Sequence, residues 1–209
     1  PTGVVEVRRA PDWRVTRRLA FPVAGARNVG LLVGVSGDGR QLLIVDPRRG
    51  AHVVPTDGSA ARSLPIEVDL MKPWYASDHL SGGSVSPAGS TALTRQADGT
   101  TRLWDLETGR EQRRFDDGPR SVAAVFGPDG RVIATANSQG TVALRGVADG
   151  VVRHHWRHRE DWRRDEDRIN ALAFSADGRL LASAGEDGAL VVWRVDDGAL
   201  WHRFELGAP

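Results

Sequence analysis

Three histidines crowd one short stretch, His154, His155 and His158, and imidazole is a common ligand for zinc. On a strand, His154 and His158 share a face with Trp156 between them while His155 points away, so three nitrogens do not converge on one ion without a bend. They read as ordinary histidines of an outer strand, and neither a metal site nor a cofactor is expected. Around them, residues 153–168 hold six arginines (153, 157, 159, 163, 164, 168) against five acids (160, 161, 165, 166, 167). Mixed signs this close pair with one another in solvent. A phosphate-binding groove seldom interleaves so many carboxylates. Two tracts set aromatics beside cations: Trp74 and Tyr75 within 70–82, and Trp162 with Arg163 and Arg164 within 157–168. Tryptophan, tyrosine and arginine dominate interaction hot spots. These five are the expected binding residues, against the plainer reading that the aromatics fold back over neighbouring strands.

Catalytic chemistry finds less support. The chain has no cysteine, which excludes disulfides, thiolate metal sites and thiol nucleophiles. No G-x-S-x-G elbow or H-E-x-x-H helix occurs, and the adjacent carboxylates Asp116-Asp117 and Asp196-Asp197 lie in turn contexts. No catalytic residue is assigned. Lys72 is the single lysine and precedes Pro73, so a phosphate loop ending in Gly-Lys-Ser/Thr cannot form. A net charge of +1 falls well short of a nucleic-acid binder's clustered excess, despite a pI near 9.0. The longest apolar stretch, 29–35, is broken by Gly30 and Gly34 and is far too short to span a membrane. No charged stretch followed by an apolar one is visible in the first residues given, so a signal peptide is not expected, and a cytoplasmic location is.

The elements that would position these residues follow from an internal repeat. Gly89, Gly99 and Gly109 are ten apart, as are Gly130, Gly140 and Gly150, and again Gly178, Gly188 and Gly198. Phe126-Gly-Pro-Asp-Gly130 matches Phe174-Ser-Ala-Asp-Gly178, and Leu103-Trp104 matches Val192-Trp193. Asp-Gly steps supply the positive φ of tight turns. Between them lie runs of five to seven residues rich in strand formers or small residues. Each unit is therefore a set of short antiparallel strands joined by hairpins. A degenerate unit precedes them, with turns at Gly39, Gly50 and Gly58. Upstream, Gly3–Arg8 and Trp13–Leu19 read as the last two strands of another. The boundaries are 1–20 for the half unit, then 28–66, 83–115, 121–156 and 169–205.

At this point the sequence resembles the WD-repeat family of β-propellers. The resemblance rests on Ala171-Leu-Ala-Phe-Ser-Ala-Asp-Gly178, Leu181-Ala-Ser-Ala-Gly-Glu-Asp-Gly188 and Val191-Val-Trp-Arg194, with Asp98–Gly109 as a second copy. It implies an all-β propeller of four-stranded antiparallel blades, about four and a half of them, and so an incomplete ring. It also implies a hydrogen-bonded set in each blade: a Gly-His ahead of the first strand, Ser/Thr in the second, Asp in the following turn and Trp in the third. Ser183, Asp187 and Trp193 match in the last blade, and Thr94, Asp98 and Trp104 in an earlier one. No Gly-His occurs, and Gln139 and Arg145 replace Asp and Trp in the blade between, so these sets are expected to be incomplete.

The resemblance implies a non-catalytic scaffold or sensor module of a larger protein, fragmentary here, that binds another protein or a fused domain. The arginine-over-lysine bias points to a bacterial source. If the chain is complete, closure needs a second copy and an oligomer is expected. The alternative is a propeller hydrolase or small-ligand binder working in the central channel, which the departure of the 28–66 unit from the family pattern favours.

Overall fold

A four-stranded sheet with two apolar faces cannot be stable alone, and this chain solves the problem by stacking such sheets in chain order. The computed structural model describes residues 2–9, 12–22, 32–46, 50–64, 83–96, 98–116, 118, 121–159 and 169–205. Eighteen strands run through them, with no helix among the described residues. β1 (Thr2–Arg9) and β2 (Arg14–Pro22) form a two-stranded hairpin sheet. The first full blade comprises β3 (Leu32–Val35), β4 (Gln41–Asp46), β5 (Gly50–Pro55) and β6 (Arg62–Ser63). The second comprises β7 (Gly83–Val85), β8 (Thr91–Arg95), β9 (Thr101–Asp105) and β10 (Glu111–Phe115). The third holds β11 (Ser121–Phe126), β12 (Val132–Asn137), β13 (Thr141–Gly146) and β14 (Val152–Arg157). The fourth holds β15 (Ile169–Phe174), β16 (Leu180–Gly185), β17 (Ala189–Arg194) and β18 (Leu200–Glu205). Every neighbouring pair within a sheet is antiparallel and consecutive in the chain, and no sheet closes into a barrel. The architecture is that of an incomplete propeller.

The glycine ladder sets the turns. All nine glycines at ten-residue spacing take positive φ, from +71° to +86°, a region that side-chain-bearing residues avoid. Asp carboxylates then bond the backbone two residues on, as Asp177 Oδ1 does with the Arg179 amide at 3.0 Å and Asp98 Oδ1 with the Thr100 amide at 2.9 Å. Trp13 departs from the sequence reading, which put it at the start of a strand. It sits in the hairpin turn with φ +53° and an exposed ring.

Each blade covers the one before it, and the contact uses the same positions each time. Leu43, Val53 and Leu64 of the first blade pack with Val85, Ala92, Trp104 and Leu106 of the second. Leu93, Leu103 and Phe115 of the second meet Phe126 and Ile133 of the third. Ala134, Leu144 and Trp156 of the third share a cluster with Ile169, Leu181, Val191 and Trp193 of the fourth. The residues lending cover come from the second, third and fourth strands of a blade, so one strip crosses the sheet from inside to outside.

At the outer end of the strip, a side chain of the fourth strand holds the last turn of the next blade. Arg62 donates to the Glu107 carbonyl, and Arg113 to the Ala148 carbonyl at 3.1 Å. In the third blade His154 lies against Gly198, where any Cβ would run into its ring, and Trp156 Nε1 donates to the Gly198 carbonyl at 2.7 Å. Trp156 also stacks on Trp193 at 5.2 Å between centroids. Trp156→Phe keeps an aromatic ring at this boundary but removes the hydrogen bond. It should lower unfolding free energy by about 1 kcal/mol in urea titration, and an unchanged midpoint would contradict this account of the boundary.

Candidate interaction surface

The connection between the third and fourth blades leaves β14 through a buried polar cluster. His158 follows β14 directly and is 2% exposed. Its Nε2 lies 3.3 Å from Asp187 Oδ1, and its Nδ1 is hydrogen-bonded to Ser183 Oγ. An ionised Asp187 can only accept, so Nε2 carries the proton and Nδ1 accepts from the Ser183 hydroxyl. Trp193 stands edge-on to the imidazole at 6.3 Å between centroids. Arg203 on β18 closes the cluster, donating to the His158 carbonyl at 2.7 Å and to Asp187 Oδ2 at 3.3 Å.

This arrangement corrects the sequence reading at two points. His158 is not an ordinary outer-strand histidine, and the hydrogen-bonded set of the last blade has its histidine. Arg157-His158, eleven residues ahead of β15, stands where the family pattern has Gly-His next to the strand. His154 and His155 do remain on β14, with His154 stacked on Trp156 at 5.3 Å. Among the described residues no group of three or more His, Cys, Asp or Glu side chains could hold a metal ion.

The second blade uses its matching residues differently. Trp104 Nε1 donates to Thr94 Oγ1 at 2.8 Å, and Gln96 Nε2 donates to the same oxygen at 2.7 Å. Asp98 turns away to its own hairpin, bonding Thr100 and, at 3.0 Å, Arg102. Thr94, Thr135 and Ser183 occupy one equivalent position in the three blades, and all three are fully buried.

Serine, imidazole and carboxylate within bonding reach are also the parts of a hydrolytic triad. Burial decides between the readings here. The Ser183 side chain has no solvent exposure, so no substrate carbonyl reaches its Oγ. The cluster ties blades together.

Its electrostatics make the tie sensitive to acid. Burial lowers the His158 pKa, and the facing Asp187 carboxylate opposes that without cancelling it. Burial would raise the Asp187 pKa, but the Ala189 amide, His158 and Arg203 outweigh it and hold the carboxyl below its ordinary value. A histidine with a depressed folded-state pKa leaves the folded state short of protons relative to the unfolded chain, where imidazole titrates near about 6.5. Stability is therefore full above that pH and falls as the pH drops through it toward the folded value. Urea midpoints measured at pH 7.5 and 5.5 should fall for the wild type and fall less for His158→Gln. Equal slopes would contradict the assignment.

Of the expected binding residues, Trp74, Tyr75, Trp162, Arg163 and Arg164 lie outside the described residues. What the structure does place, and sequence reasoning missed, is exposed apolar side chains on the outermost strand of the last blade. Leu200, Trp201 and Phe204 are 60%, 56% and 40% exposed. Beside Trp201 an open groove of about 560 Å³ runs along the turn at Asp177–Arg179, with Leu180, Arg194, Val195 and Asp196 on its walls. Arg194 is engaged by Asp197 through both nitrogens that face it. The alternation of β18 gave no sign of this surface, because its exposure depends on what packs beside it.

Comparison with known proteins agrees with this geometry. The family described as WD domain, G-beta repeat matches residues 159–194, which run from the connection after His158 to the end of β17. A WD repeat-containing protein, SL1-17 of Schistosoma mansoni, is 34% identical over 64 residues, 30% of this chain and 21% of that relative. The chain spans about a fifth of the length of that relative. A WD40 repeat is thus present, and a distant WD-repeat homologue exists. WD repeats generally mediate protein–protein interaction. No helix among the described residues is long and apolar enough to cross a membrane.

Proposed function

We propose that this chain is a non-catalytic protein–protein interaction module, a scaffold or sensor segment of a larger bacterial protein working in the cytoplasm. Its partner is another protein or a fused domain of the same one. The observation that carries the reading is the anchoring of the 159–168 connection at both ends. His158 is held by Ser183, Asp187 and Arg203 at one end, and Ile169 is fully buried at the other. A segment tethered at both ends loses less freedom on docking than one tethered at a single end. Trp162, Arg163 and Arg164, on that connection, supply the contacts, and Trp74 and Tyr75 supply a second set. Such residue types carry most binding energy at protein interfaces. The WD40 match supports the class of partner.

The test is quantitative capture of partners by the purified chain, with cross-links mapped by mass spectrometry. Trp162→Ala and Trp74→Ala should each weaken the captured interaction at least tenfold while shifting the melting temperature by no more than a few degrees. Undiminished capture by both variants would remove these connections from the binding surface.

A further inference from the structure

The hairpin of β1 and β2 has the build of the last two strands in the second, third and fourth blades. In β9–β10, β13–β14 and β17–β18 the pairing shifts by one residue, leaving Gln112, Arg153 and Trp201 as the extra residue. β1 and β2 shift at the matching place, with Val7 opposite Arg17, Arg8 opposite Val15 and Thr16 extra. Counted from that bulge, the turn residue is Trp13, where the blades have Gly109, Gly150 and Gly198. The turn is closed in the same way. Asp12 Oδ1 accepts from the Arg14 amide at 3.4 Å, as Asp149 and Asp197 each accept from the amide two residues on at 3.0 Å.

An indole in that place changes what the turn can do. Trp13 holds φ +53°, the one positive value at a residue other than glycine among the described residues, in a region that costs a bulky side chain free energy. At Gly150 and Gly198 a Cβ would come within 2.8 Å of Arg113 and 2.4 Å of His154, side chains of the preceding blade. The Trp13 turn is therefore closed to the seating contact that those two glycines make, irrespective of what lies ahead of it in the chain. Its ring is instead 67% exposed, more than any other large apolar side chain described. Burial of the ring does not offset the strain.

Arginines surround it. Arg8, which stands where the second and fourth blades have Trp104 and Trp193, donates to the Trp13 carbonyl at 3.3 Å. Arg14 and Arg18 extend into solvent, their side chains 82% and 71% exposed. Glu6 lies between Arg8 and Arg18 at 2.6 and 3.1 Å, and Asp12 lies 3.5 Å from Arg14. Residues 2–22 hold five arginines (8, 9, 14, 17, 18) and two acids (6, 12), a net charge of +3, while the rest of the sequence carries −2. The basic excess of the protein is concentrated on this hairpin.

We propose that the tip of the β1–β2 hairpin binds an acidic segment of a partner protein, with an apolar side chain of that segment on the Trp13 indole and its carboxylates paired with Arg14 and Arg18. A tryptophan beside arginines is the composition of an interaction hot spot, and charge complementarity sets the sign of the partner. One indole offers no run of rings on which successive bases could stack. Asp12 beside it would have to enter the headgroup layer of an anionic bilayer. Both features favour a peptide. The site is separate from Trp74, Tyr75 and Trp162 and stands if the loop reading fails.

In the test, a display library of random peptides is selected on the full 209-residue chain and counter-selected on Trp13→Gly. The recovered peptides should be rich in Asp and Glu with at least one apolar residue, and Trp13→Gly should bind them at least tenfold more weakly. Arg14→Glu combined with Arg18→Glu should weaken them as much, whereas Trp74→Ala and Trp162→Ala should leave their affinity unchanged. Glycine suits a positive φ, so the melting temperature of Trp13→Gly should be unchanged or higher. A fall of more than about 4 °C would overturn the proposal, since the ring would then hold the fold together. So would recovery of no peptides or of peptides without acidic residues, or Trp13-dependent binding only to phosphatidylglycerol vesicles or to an oligothymidylate.

Discussion

Cover of one sheet by the next is the interaction on which everything else in this molecule depends. No blade is thick enough to bury its own apolar side chains, because a single sheet has two faces and no interior. Leu103 of the second blade and Ile133 of the third are almost fully buried, in one cluster at the boundary between those blades. The tight Asp-Gly turns, the small residues of the inner strands and the buried threonines all serve that stacking. Gly34 shows how close the approach is: a Cβ there would lie 3.3 Å from the Gly83 carbonyl oxygen, on the first strand of the following blade. Stability in such a molecule is a sum over neighbours, so each boundary has its own strength.

The third-to-fourth boundary carries the most polar detail. Trp156, Trp193 and His158 form one aromatic run; Ser183 and Asp187 bond the His158 ring, Arg203 donates to the His158 carbonyl, and Trp156 donates to the Gly198 carbonyl. Buried polar clusters are costly when half-satisfied and rigid when complete. This one is complete around His158, and it lies directly before the connection that carries Trp162, Arg163 and Arg164. Structure and proposed function meet there. The same side chains that lock two blades together hold the residue at which the segment proposed to bind begins.

The architecture was legible in the sequence because turns are encoded locally. Gly178, Gly188 and Gly198 announce their positive φ through spacing and through the Asp before each, and the strands between them follow. His158 was not legible. Its partners lie 25 and 29 residues away, and the arginine before it hides the dipeptide by which the family pattern is read. The signal available was the spacing from a histidine to Ser183 and Asp187, which only a folded blade makes meaningful. Trp13 was misread because nothing local marks a tryptophan for positive φ. The exposure of Trp201 and Phe204 was invisible for another reason: alternation marks an apolar face, but only the neighbouring sheet decides whether it is covered.

The claim that blades are coupled through a shared strip is tested most directly by a double-mutant cycle across the second-to-third boundary. Leu103→Ala and Ile133→Val, alone and together, should show a coupling of about 0.5 kcal/mol or more in denaturant unfolding, as contacting residues do. The same Ile133→Val combined with Leu43→Ala, one blade further away, should be additive within about 0.3 kcal/mol. Additivity of the Leu103 and Ile133 pair, or equal coupling for both pairs, would contradict the account.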